Sequence, residues 1–92
     1  MALDYRRLRA VTAREIGAAL LRDGFNLVRQ KGSHQRYVHP DGRRVTVTYH
    51  RSGDTFEIKT LRSMIELQAR WNEDDLRRLG LTKRQRQATI EV

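Results

Sequence analysis

The chain contains no cysteine and a single proline in 92 residues. Without cysteine there can be no disulfide, no thiolate nucleophile and no cysteine-ligated zinc, which excludes the usual staples of a small domain and several chemistries together. That composition suits a reducing compartment. The sequence also lacks an uninterrupted apolar run long enough for a signal-peptide core or a membrane span, so the expectation is a soluble protein of the cytoplasm with no membrane partner. Aromatic residues are scarce, with one Trp, two Phe and three Tyr. A domain this small needs its large rings for burial, and Phe25 and Trp71 are therefore read as core or lid residues rather than base-stacking platforms.

Basic charge is what the chain has in excess. Nineteen Lys and Arg stand against eleven Asp and Glu, a formal charge of +8, and the resulting field attracts phosphate. Only Lys31, Lys59 and Lys83 are lysines. Arginine forks onto phosphate oxygens with two parallel hydrogen bonds, so the bias toward it favours nucleic acid as partner, with an acidic protein or a membrane surface as the alternatives.

Length predicts one core and a shallow site. The first ten residues are basic and show no periodic pattern. Thr12-Ala13-Arg14-Glu15 then carries the Thr-x-x-Glu arrangement that opens a helix, with Ile16, Ala19 and Leu20 as its apolar stripe and Gly24 as its stop. Phe25–Gln30 and His34–His39 read as the strands of a hairpin around Lys31-Gly32-Ser33, and Arg43–His50 as a third strand after the Pro40-Asp41-Gly42 turn. Alternation predicts Val45, Val47 and Tyr49 on the core side, with Thr46, Thr48 and His50 on the other. Phe56 and Ile58 are expected to anchor an extended return, and Thr60 to cap a second helix whose buried side is Leu61, Met64, Ile65 and Gln68 or Ala69. Asn72 and the acids after it start a short third helix that Gly80 ends. The reading is a single α+β domain over 1–81, with a three-stranded antiparallel sheet packed on two helices, a short extra C-terminal helix, and a basic, flexible tail over 82–92.

Candidate chemistry rests on His34, His39 and His50, because a bare imidazole can give or take a proton near neutral pH. If Gln35, Tyr37 and His39 face the core, His34 and Arg36 face outward beside Thr46, Thr48 and His50. An imidazole next to a guanidinium can move a proton while a phosphate is held, and RNA supplies its own nucleophile in the 2′-hydroxyl. Lys31 at the adjacent turn adds a second cation, and Gly32 admits a close phosphate. The plain alternative is a solvated histidine on an ordinary charged face, and Arg29, Lys31, Arg36, Arg43 and Arg44 likewise fit either phosphate binding or solvation. The histidines lack metal-ligand spacing, and Glu73, Asp74 and Asp75 are explained by a helix start, so no metal site is expected.

Lys31-Gly32-Ser33-His34, Tyr37-Val38-His39-Pro40-Asp41-Gly42, Val45-Thr46-Val47 and Thr60-Leu61-Arg62-Ser63-Met64-Ile65 occur in an order that resembles the HicA family, the toxins of a bacterial toxin and antitoxin pair. The likeness runs from about Glu15 to Ile65. It implies a fold like the double-stranded-RNA-binding domain and a cofactor-free, metal-independent mRNA interferase whose single catalytic histidine corresponds to His34. Lys31, Gly32, Ser33 and Arg36 would then bind RNA, and a HicB-like antitoxin would cover the site. The chain differs from many members at Thr48, where they carry proline, and at Lys59, where they carry glycine. A non-catalytic module that grips double-stranded RNA is the alternative within the same fold.

Overall fold

A computed structural model describes residues 3–82. Two segments precede the sheet, α1 over Tyr5–Leu8 and α2 over Ala13–Arg22; the strands are β1 over Asn26–Lys31, β2 over His34–Val38 and β3 over Arg44–Thr48. Helix α3 over Ile58–Arg62 runs on as a π-helix over Ser63–Gln68, and α4 spans Glu73–Arg78. The sheet is antiparallel in the order β1-β2-β3. This is the expected α+β arrangement, an open three-stranded sheet with helices, consistent with a double-stranded-RNA-binding-domain-like fold. No helix among the described residues is long and apolar enough to cross a membrane. Of the basic tail expected over 82–92, all but Thr82 lies outside the described residues.

Local signals act as their chemistry predicts at several ends. Thr12 and Glu15 form the reciprocal cap of α2, and Asn72 and Asp75 do the same for α4, each satisfying two backbone donors that a helix start leaves free. Gly24 takes φ 102 after α2, and a Cβ there would lie 2.9 Å from His39 Nε2. Ile16, Ala19 and Leu20 of α2 meet Tyr37, Val45 and Val47 of the sheet and Leu61, Met64 and Ile65 of α3 and its continuation in one core. The Tyr37 hydroxyl comes so close to α2 that a Cβ on Gly17 would stand 2.9 Å from it. It donates to Gln35 Oε1 at 3.0 Å, which satisfies a buried polar pair and keeps both side chains turned inward.

Three expectations are corrected. The opening segment has a short helix, which buries Tyr5 and Leu8 with Val11 behind them; four residues are too few to show a period, so only the tertiary contacts reveal it. The second main helix starts at Ile58 after Glu57, leaving Thr60 inside it rather than at its cap. Ile58 is thus helical rather than extended, yet it still packs half-buried on the core beside Phe56, which inserts from the extended approach. The π-helical stretch widens the turn so that Leu61, Met64, Ile65 and Ala69 all reach the core, while Gln68 stays half-buried. Its amide serves another purpose. Gln68 Oε1 accepts the Thr46 N–H at 2.8 Å, capping the free edge of β3 and blunting it against stray pairing.

Beyond Arg70 the chain is held to α2. Trp71 Nε1 donates to Asp23 Oδ2 at 2.8 Å, Arg78 Nη2 lies 2.6 Å from Asp23 Oδ1, and Arg43 Nη1 lies 3.2 Å from Oδ2. Asp23 is nearly buried, 7% exposed at its side chain. Burial alone would push its carboxyl up, but the hydrogen bonds from Trp71 and Arg78 and the charges of Arg78 and Arg43 outweigh it and hold the group below the ordinary carboxylate value.

Candidate active site

The outer face of the sheet follows from the residues locked on the inner one. Gln35 and Tyr37 are buried, so His34 and Arg36, their alternating neighbours on β2, are exposed. On β3, Val45 and Val47 are buried and Thr48 is exposed. Cross-strand register pairs His34 with Thr48 and Arg36 with Thr46. The Tyr49 N–H donates to the Ser33 carbonyl at 3.0 Å, extending the ladder by one hydrogen-bonded pair. Pairs alternate along an antiparallel ladder, so His34 with Thr48 is a non-hydrogen-bonded pair, the type in which side chains approach most closely.

On the other side, His34 pairs with Lys31 and Arg36 with Arg29. A break in register between Leu27 and Arg29 decides this. Asn26 pairs with Val38 on the outer face, and strict alternation from it would bring Val28 and Gln30 to that face. The extra residue of the bulge brings Arg29 and Lys31 there instead, beside His34 and Arg36. The turn Gly32-Ser33 joins the strands, with Gly32 at φ 59 and no positive φ at Ser33, the pattern of a two-residue turn that takes glycine at its first position. Nothing lies within 4 Å of a Cβ built on Gly32, so glycine is required there by the backbone angle, and the space above the turn is open.

Lys31, Gly32, Ser33, His34 and Arg36 all line one groove of about 550 Å³, joined by Arg29 and Thr46. The five residues expected from the sequence are therefore brought together, and Arg29 is added by the bulge. Among the described residues Arg29, Lys31, Arg36 and Arg44 have no carboxylate partner, and Arg44 follows on β3, paired with Val38. Arg43 is different. It lies 2.8 Å from Asp41 and 3.2 Å from Asp23, over the Phe25 ring at 4.9 Å, and so belongs to the scaffold. Two arginines directly opposite on neighbouring strands repel each other; an anion laid across Arg29 and Arg36 relieves that repulsion.

The three histidines part company in the structure. His39 is half-buried, edge-on to Phe25 at 5.0 Å; its Nε2 donates to the Asp23 carbonyl at 2.9 Å, and Nδ1 lies 3.0 Å from both the N–H and Oδ1 of Asp41. Both nitrogens are thus engaged in holding the Pro40 turn to the end of α2. His34 and His50 are exposed. Trp71 and Phe25 are buried and meet edge-on at 6.4 Å, as expected of core rings. Among the described residues no three His, Asp or Glu side chains are grouped to hold a metal ion.

A family model described as the HicA toxin of bacterial toxin-antitoxin systems matches residues 13–70. The match runs from the first residue of α2 to Arg70, includes the whole sheet and the groove, and leaves α1 and α4 outside it. No curated protein matches the chain. With more than half of its length covered, from the capped start of α2 through the Gly-Ser-His turn to the end of the π-helix, this chain belongs to the HicA family of toxins from bacterial toxin–antitoxin systems.

Proposed function

We propose that this toxin is an mRNA endoribonuclease that works without metal or cofactor through His34. The observation that carries the reading is the position of an exposed imidazole between Lys31 and Thr48, in a groove whose cations lack carboxylate partners among the described residues. His34 accepts the proton of an RNA 2′-hydroxyl; the 2′-oxygen attacks the adjacent phosphorus, the bond to the 5′-oxygen breaks, and that oxygen takes up a proton. The products are a 2′,3′-cyclic phosphate and a 5′-hydroxyl end. Because the nucleophile belongs to the substrate, no metal-bound hydroxide is needed, and the protein contributes proton transfer and charge stabilisation. Lys31 and Arg36 hold the non-bridging oxygens, and Gly32 and Ser33 let the main chain of the turn come near the phosphate. The substrate places the activity in the cytoplasm. A HicB-like antitoxin with an acidic surface complementary to the cationic face would silence the enzyme by covering this groove.

His34→Ala tests the reading. Loss of a general base lowers cleavage by roughly 10²–10⁴-fold, while RNA binding, carried by the cations, stays close to that of the unaltered protein and growth arrest on expression is lost. Cleavage that survives the substitution unaltered refutes the role of His34. RNA binding by the unaltered chain with no cleavage at all identifies a non-catalytic RNA-binding module instead.

A further inference from the structure

Transesterification of RNA requires two proton transfers, one from the attacking 2′-oxygen and one to the departing 5′-oxygen. A single imidazole in one protonation state performs only one of them in a concerted step. The ladder that positions His34 continues past the end of β3. Tyr49 packs on the core and donates its N–H to Ser33, the last bond of the ladder; the exposed His50 stands at the bend that follows, two residues past Thr48, the cross-strand partner of His34. Gly32 presents no side chain at the turn before His34, and its Cβ position is open. We propose that His50 is a second catalytic residue, the general acid that protonates the 5′-oxygen while His34 accepts the proton from the 2′-oxygen.

The surroundings of the two imidazoles differ, since a carboxylate joins the cations around His50. His34 is flanked by Lys31, with Arg36 two residues along β2. His50 is followed by Arg51, and both of their N–H groups donate to Asp54 Oδ2 at 3.0 Å. Arg14, at the start of α2, donates its own N–H to the Ser52 carbonyl of the same loop. The N–H groups of Arg51 and His50 hold the Asp54 carboxyl below its ordinary value, so an ionised carboxylate stands in the loop that carries His50. Protons balance: one passes from the 2′-hydroxyl to His34, one from His50 to the leaving oxygen, and solvent restores both histidines.

The inference rests on the ribonuclease reading, and two substrates separate their failures. One is an RNA oligonucleotide with a single cleavable linkage; the other is identical except for sulfur in place of the bridging 5′-oxygen, a leaving group that needs no protonation. His50→Gln is expected to slow cleavage of the oxygen substrate by roughly 10²-fold or more and to leave the sulfur substrate within about threefold of the unaltered enzyme. His34→Ala slows both. The pH–rate profile of His50→Gln also loses its alkaline limb, where the acid would deprotonate. Equal loss on the two substrates, or an oxygen-substrate rate matching the unaltered enzyme, overturns the role of His50 and leaves the ribonuclease reading standing. An unaltered protein that cleaves neither substrate overturns both.

Discussion

Replacing Asp23 with asparagine perturbs the junction that fastens the segment after Arg70 to the rest of the domain. Asparagine keeps an acceptor for Trp71 Nε1 but removes the charge that Arg43 and Arg78 face. Breaking a buried ion pair from one side costs about 3–5 kcal/mol. Here that value must be reduced: Arg78 is half exposed and keeps Asp75 at 2.9 Å, while Arg43 keeps Asp41 at 2.8 Å and the Ala69 carbonyl at 2.6 Å. About 2 kcal/mol remains for Asp23→Asn after that discount for exposure and residual partners. Asp23→Ala also strands the buried indole N–H, adding about 1–3 kcal/mol. For a domain of this size each kcal/mol shifts Tm by about 4–8 °C. Because the folded-state carboxyl lies below the ordinary value of 3.8, its stabilisation is complete above that value and is lost as pH falls through the folded one. Urea denaturation at pH 7 and at steps down to about pH 2 measures the gap between the unaltered protein and Asp23→Asn, which should narrow below about pH 4. A gap under about 0.5 kcal/mol at pH 7, or one that stays constant into acid, refutes the claim that this carboxylate clamps the segment.

Two further outcomes test the backbone and the electrostatics of the groove. Gly32→Ala should cost about 1–2 kcal/mol from its positive φ alone, and Gly24→Ala more, because there the new Cβ also meets His39 Nε2 at 2.9 Å; chemical denaturation of the two variants ranks them, and an equal or reversed order would show that the His39 approach is not tight. Arg36→Ala should weaken binding to single-stranded RNA regardless of sequence and flatten the dependence of log K on log salt by about 0.7, the amount for one phosphate that the protein no longer neutralises. Arg78→Ala, whose guanidinium is spent on Asp23 and Asp75, should leave that slope unchanged in a fluorescence-anisotropy titration.

Much of the scaffold is legible because its signals are local. Thr12 and Glu15 lie three residues apart and cap the same helix start whatever packs on them; Gly24 ends α2 for a reason internal to its own backbone; Val45 and Val47 alternate with threonines along β3. What stays hidden is what depends on distant partners. Asp23 reads as the polar half of a helix stop, and nothing near it in sequence announces Trp71 or Arg78, 48 and 55 residues away. The start of α3 is obscured for a related reason, since Thr60 is a good capping residue by type, yet the burial of Phe56 and Leu61 draws the helix back to Ile58.

The candidate site shows the same division within a single hairpin. The Gly-Ser-His turn and the alternation of β2 are enough to set His34 and Arg36 on one face, because Gln35 and Tyr37 are hydrogen-bonded partners that must turn inward together. The company they keep is decided by Val28. Strand β1 is exposed along its whole length, so no buried side chain on it marks which face is which, and alternation has nothing to anchor to. A regular strand would set Val28 and Gln30 beside Asn26 on the outer face and leave His34 with uncharged neighbours from β1. One extra residue reverses this, bringing Arg29 opposite Arg36 and Lys31 opposite His34. The bulge accepts two costs, a local loss of ladder pairing and the repulsion of facing arginines, and neither is offset by any carboxylate among the described residues. An anion laid across the face offsets the second, since its charge then meets Arg29 and Lys31 of β1 as well as Arg36 of β2.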